Sequence, residues 1–269
     1  MRTLLSFLLV CVLTAPSWSN GLVATTPVAA EIVVDRFDNP SSDGGIPPGW
    51  YEYRFHKTVN RTKYSIVPFE LSGGGEKSTY RGDHVLKAEA DCASSLIGKR
   101  MSVDLRAYPI LCWRWKINGI IKGADARTKE GNDFPARIYV AVEPKEGFNP
   151  LRSLARGVAG SVAGVPVPKA TIDFVWCSKY KAGEVFPSPW DKSNRIVIVE
   201  SGEANAGKWV EAEVNVLEYY DEFFPGGSAH VEGIAVMSDS DNTQTQGVVA
   251  YYDDLVFRRA PKDSETAGE

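Results

Sequence analysis

The chain has 269 residues, 43% hydrophobic and 24% charged, with 30 basic against 34 acidic side chains for a net charge of −4. This is a globular composition, and its slightly acidic balance excludes a general attraction to nucleic acid or anionic lipid. Recognition of an anion would have to come from a local cluster of cations.

The chain opens with one charge, Arg2, an apolar run from Leu4 to Leu13, and small residues at Ala15, Ser17 and Ser19. That order describes a secretory signal peptide, with cleavage expected before Asn20 or before Glu31. The apolar run is too short to span a bilayer as a helix. No later segment approaches that length, so no transmembrane segment is expected after signal removal. The expected location is exported, periplasmic or extracellular. Residues 1–30 read as the signal and a short N-terminal segment, 31–260 as one β-sandwich domain, and 261–269 as a disordered tail. Cleavage leaves Cys92, Cys112 and Cys177. Three buried free thiols are favoured over a Cys112–Cys177 bridge, because a domain this large needs no staple.

Short β-rich runs follow, separated by Gly, Pro, Asn and Asp: Glu31–Phe37, Trp50–His56, Lys63–Phe69, His84–Ala90, Ile110–Ile117, Ala136–Glu143, Thr171–Ser178, Arg195–Glu200, Lys208–Val214, His230–Met237 and Val248–Phe257. Many alternate apolar and polar residues, the period of a half-buried strand. The fold class is therefore all-β, a two-sheet jelly-roll sandwich. One short helical insertion is expected after Asn149-Pro150, in a Gly- and Pro-rich stretch that reads equally as a lid or as a cover for a sheet edge.

Alternation assigns faces. Leu111, Trp113 and Trp115 share one face of their strand, leaving Cys112, Arg114 and Lys116 on the other. The same reading leaves Arg137 and Tyr139 opposite Ile138, Val140 and Val142, and Asp173 opposite Ile172, Phe174 and Trp176. If the three strands lie in one sheet, Arg114, Lys116, Arg137, Tyr139 and Asp173 line a single concave surface suited to an anionic or polyhydroxylated ligand. The alternative is a solvated face with ordinary ion pairs. Trp113, Trp115 and Trp176 are expected in the core, whereas Trp50, Trp190 and Trp209 sit where they could stack on sugar rings or plug the sandwich. The loop Asp239-Ser240-Asp241-Asn242-Thr243 reads as a capped turn or as oxygen donors of a binding or calcium site, with Asp239, Asp241 and Asn242 as its candidates.

The combination of Pro48-Gly49-Trp50, Trp113-Arg114-Trp115-Lys116, Asp133-Phe134-Pro135-Ala136-Arg137, Asp173-Phe174-Val175-Trp176 and Asp239-Ser240-Asp241-Asn242-Thr243 resembles a bacterial family catalogued as domain of unknown function 3047. The resemblance runs from about Asp35 to Phe257 and implies a fold and a site more than an activity. Asp35-Arg36-Phe37 and Tyr252–Phe257 also look like the first and last strands of carbohydrate-binding jelly-roll modules, in which acidic residues from those strands hold a structural calcium. That similarity implies calcium at Asp35 and Asp254. Asp253 and Asp254, adjacent in a strand, point to opposite faces, and a buried carboxylate must be paired or bound to a cation.

No zinc spacing, nucleophile elbow, phosphate loop or dinucleotide fingerprint is present. The expected function is therefore binding of a carbohydrate or other envelope ligand. The alternatives are a polysaccharide lyase or hydrolase using the same face, with Tyr139 or His230 as a base, and a structural envelope protein.

Overall fold

A computed structural model describes residues 30–41, 44–54, 60–73, 82–145 and 168–261. The signal segment, the expected helix after Asn149 and residues 262–269 lie outside them. Among the described residues there are thirteen strands: β1 Glu31–Asp35, β2 Tyr51–Tyr53, β3 Lys63–Pro68, β4 His84–Ala90, β5 Ser94–Asp104, β6 Ile110–Ile117, β7 Ala136–Val142, β8 Ala170–Cys177, β9 Val185–Pro187, β10 Arg195–Ser201, β11 Val210–Asn215, β12 His230–Asp239 and β13 Val248–Arg258. A helix, α1, spans Val216–Phe223 between β11 and β12. The Asn215 side chain caps it, accepting the Glu218 N–H at 3.4 Å and donating to the Glu218 carboxylate at 2.7 Å. That reciprocal Asn-x-x-Glu cap satisfies the helix end.

The first sheet runs β11-β6-β13-β4-β3, with β1 also on β13; the second runs β2-β5-β12-β7-β8-β10-β9. The chain repeatedly changes sheet, as β4–β5–β6–β7 and β11–β12–β13 do, which makes the sandwich a jelly roll. All strand pairings are antiparallel except β8 with β10, which are parallel and separated in sequence by β9.

The core lies where the two inner faces meet. Trp113 and Trp115 of β6 pack edge-on at 5.1 Å, and each reaches across to β8, Trp113 to Phe174 and Trp115 to Trp176, at 5.8 Å. These side chains are essentially inaccessible, as are Ile138, Val140 and Ile172. The inner-face assignments from alternation therefore hold, because period-two patterning reports side-chain direction directly.

The outer faces are not the open surfaces expected of half-buried strands. Every residue of β8 is buried. A second apolar layer of Ala126, Phe134, Val175, Cys177, Phe186, Ile196 and Ile198 covers part of the second sheet's outside. The segment before β7 forms that cover, pinned by the buried Asn132 amide, which donates to the Ala126 carbonyl at 2.9 Å.

Candidate functional site

The five side chains expected on one surface are divided between two. β6 pairs with β11 and β13, not with β7. Its inner residues face those of β7 and β8 across the core, so its alternate residues, Arg114 and Lys116, point out of the opposite side of the molecule from Arg137, Tyr139 and Asp173. The shared hollow does not form.

On the first sheet the cations are absorbed into the structure. The Arg114 guanidinium lies 3.9 Å from Glu211, 4.0 Å from Asp253 and 3.9 Å from Asp254, and sits over the Trp209 ring at 5.1 Å. Lys116 donates to the Ser72 carbonyl at 2.6 Å, closing the turn Phe69–Ser72. Trp209 stacks on Phe69 and donates to the Ser72 hydroxyl at 3.2 Å, so it seals this face. Burial and then the neighbouring Asp254 push the Asp253 carboxyl up to about 8.

Asp35 and Asp254, the expected calcium ligands, each have partners within the protein. Asp35 accepts from the Trp50 indole at 2.8 Å, the Phe37 N–H at 2.9 Å and Lys99 at 3.3 Å. Asp254 occupies a bulge with φ of 51° and faces Arg36 at 3.8 Å as well as Arg114. Each carboxylate thus faces a cation of the protein, Lys99 for Asp35 and Arg36 and Arg114 for Asp254, and a register shift lies beside each.

On the second sheet the structure brings Arg137, Tyr139 and Asp173 together. Tyr139 and Asp173 are direct cross-strand partners on β7 and β8. Arg137, one turn of the pleat away, donates from one Nη to the Tyr139 hydroxyl and from the other to Asn132 Oδ1 at 3.2 Å. Its guanidinium lies over the Phe134 ring at 4.1 Å. Its Nε has no hydrogen-bond partner, and among the described residues no carboxylate lies within 4.0 Å of it. Asp173 accepts one hydrogen bond, from the Thr171 hydroxyl at 2.5 Å. Both charged residues are buried, Arg137 with 5% and Asp173 with 2% of its surface accessible. Burial drives the Asp173 carboxyl up to about 6 against the opposing pull of Arg137. Burial likewise raises the Tyr139 phenol above its ordinary range.

The loop after β12 closes one end of this face. Its docking residue is Asp133, the first residue of the Asp133–Arg137 segment that leads into β7. The Asp133 carboxylate accepts the Asn242 N–H at 3.2 Å and both the N–H and the hydroxyl of Thr243 at 2.6 Å. Asn242 thus contributes its backbone. Asp239, buried, accepts the Phe134 N–H at 3.2 Å; burial and the nearby Asp133 and Asp241 carry its carboxyl up to about 8 although Arg137 opposes them. Oxygens of Asp133, Asp239 and Asp241 lie within 4.8 Å of one another, a set of hard donors in which those of Asp133 are already engaged. Cys112 and Cys177 are free thiols on different sheets, and Cys92 is partly accessible.

A family model described as "Protein of unknown function (DUF3047)" matches residues 48–256. No curated protein matches the chain. Among solved structures, the family 11 carbohydrate-binding module of the cellulosomal cellulase Lic26A-Cel5E of Clostridium thermocellum is similar at 10% identity and a TM-score of 0.39, over 88% of this chain and 99% of that one. TmCBM61, solved with β-1,4-galactotriose, is similar at 11% identity and a TM-score of 0.33, over 81% and 92%. The K3 cleaved adhesin domain of Lys-gingipain from Porphyromonas gingivalis is similar at 11% and 0.34, over 86% and 100%. At such scores the function has to be argued from this chain's own residues.

Proposed function

The chain belongs to the DUF3047 family, whose description assigns no activity, and we propose that this member binds carbohydrate at Arg137, Tyr139 and Asp173 on the outer face of the second sheet. One observation supports the reading above others: a buried cation and a buried carboxylate flank a tyrosine, and neither is ion-paired among the described residues. Burying charge without a partner is costly, and such arrangements concentrate where a ligand completes them.

The chemistry of the missing partner follows from the two charges. An anion would satisfy Arg137 and repel Asp173, and a cation would do the reverse. A neutral polyol serves both, because each hydroxyl accepts from the guanidinium and donates to the carboxylate. The phenol ring offers an apolar face to the C–H side of a pyranose. Export to the periplasm or beyond, supported by the N-terminal sequence, would place the protein among envelope glycans.

The raised carboxyls also favour a second reading, hydrolysis of a bound glycan, because at neutral pH Asp239, at about 8, would hold its proton while Asp173, at about 6, would be largely ionised, the acid and base that reaction needs. Tyr139 is poorly suited as the base of a lyase, since burial holds its proton more tightly than usual.

The test is a glycan-array screen of the full mature protein with Asp173→Asn and Arg137→Lys, followed by product analysis of every hit. Binding weakened roughly 10- to 100-fold by each variant is expected, the loss of one charge-assisted hydrogen bond. Undiminished binding by both variants would remove the site, and new reducing ends would convert the binder into a hydrolase.

A further inference from the structure

The row of residues that crosses the second sheet through Tyr139 is unusual in its sizes. Register partners across neighbouring strands are Tyr51 on β2, Gly98 on β5, Ala235 on β12, Tyr139 on β7 and Asp173 on β8. Partners in a ladder point to the same face, so these five side chains form one line perpendicular to the strands. Its middle has almost no side chain: a Cβ on Gly98 would already meet that of Ala235 at 3.4 Å. In the next row toward the start of β12, Gly233 lies at a bulge between Ala141 on β7 and the exposed Arg100 on β5. On the other side the row through Leu96, Met237 and Arg137 is tall. The low pair Gly98 and Ala235, flanked by that tall row on one side and by Arg100 on the other, leaves a trough across two central strands, and close approach of a ligand is one of the reasons a strand keeps a glycine.

The two ends of the trough are aromatic. Tyr51 is half exposed on the edge strand, and Tyr139 is partly accessible beside Arg137. They stand three strand spacings apart, about 14 Å, and Asp173 lies one spacing further, at about 19 Å. A ring of an extended pyranose chain spans roughly one such strand spacing.

Resting on the carbohydrate reading, we infer that this row is a track for an internal stretch of a linear glycan, about four pyranose units long, lying across the strands with one ring on Tyr51 and another on Tyr139. A terminal sugar held at Arg137 and Asp173 alone would leave Tyr51 and the Gly98–Ala235 floor without a purpose in binding. The floor has to stay low because the chain passes over it to reach both rings.

Calorimetric titration with gluco-, xylo-, galacto- and manno-oligosaccharides of two to six units tests this on the whole protein. Affinity for the recognised series should rise at least tenfold from the disaccharide to the tetrasaccharide and then level off. Tyr51→Ala, at an exposed position, should cost the tetrasaccharide about tenfold and the disaccharide less than twofold. Ala235→Leu, which raises the floor, should cut tetrasaccharide binding at least as far, with an unchanged far-ultraviolet spectrum as the check on folding. Binding that is independent of length, or a Tyr51→Ala variant that binds every length as the parent does, would overturn the track while leaving the site at Arg137. No binding by any oligomer of any series would overturn both.

Discussion

Replacing Asp173 by Asn should make the protein more stable at neutral pH and worse at binding. The folded-state carboxyl is raised from 3.8 to about 6, burial being the dominant cause. A folded pKa above the unfolded one means that the folded state holds the proton more tightly. The stability contributed by Asp173 is therefore intact below about pH 4, declines through the interval up to about 6, and is gone above it. A displacement of about two pH units corresponds to roughly 3 kcal/mol. The amide is nearly isosteric with the protonated acid, keeps an oxygen for the Thr171 hydroxyl and cannot ionise. Wild type and Asp173→Asn should then match near pH 4, and the variant should lead by up to about 3 kcal/mol at pH 7.5. Urea unfolding at half-unit steps from pH 4 to pH 8 measures the difference directly, and the other carboxylates cancel because both proteins carry them. A difference independent of pH, or a wild type that gains on the variant as pH rises, would refute the premise that Asp173 is buried without an adequate partner. The same variant losing ligand affinity while gaining stability would mark the position as one kept for function.

Three further outcomes are expected. Trp113→Ala empties the centre of the core and should cost roughly 3–5 kcal/mol in urea unfolding; a loss under about 1 kcal/mol would contradict its place between Trp115 and Phe174. Asp133→Ala strands the donors of Asn242 and Thr243 and should cost roughly 2–4 kcal/mol. Hydrogen exchange should rise at those amides while β6 stays protected, and uniform exchange across both would argue against local docking. A thiol reagent should label Cys92 first and reach Cys112 and Cys177 only on unfolding, because burial holds Cys112 up to about 11 and also raises Cys177. A melting temperature that falls on reduction would instead reveal a bridge.

The sequence shows the directions of the side chains and conceals their neighbours. Alternation placed Leu111, Trp113 and Trp115 inward and Arg114 outward because the pleat alone decides that. It could not locate β5, whose Gly98, Lys99 and Arg100 interrupt any apolar rhythm although the strand pairs with both β2 and β12. Nor could it find α1, whose Asn215 and Glu218 cap follows β11 without a break. The partner of β6 was equally hidden, since pairing with β11 and β13 is fixed by residues about a hundred or more positions away.

That hidden partnership separates a structural arginine from one that belongs to a site. Arg114 and Arg137 occupy equivalent outward positions on central strands and look alike in sequence. β11 and β13 supply Arg114 with three carboxylates near 4 Å, and Trp209, just before β11, sets an indole beneath it, so its charge is spent within the fold. β8 and β12 instead set Val175 and Met237 beside Arg137, and the nearby carboxylates of Asp173 and Asp239 stay beyond ion-pair distance. A sheet that needed Arg137 only for stability would do as well with a leucine there, because well-packed apolar groups often match or exceed a buried charge. The arrangement that would be wasteful in a scaffold is the one a neutral, hydroxyl-rich ligand completes, and its value is decided by two strands that meet β7 only after folding.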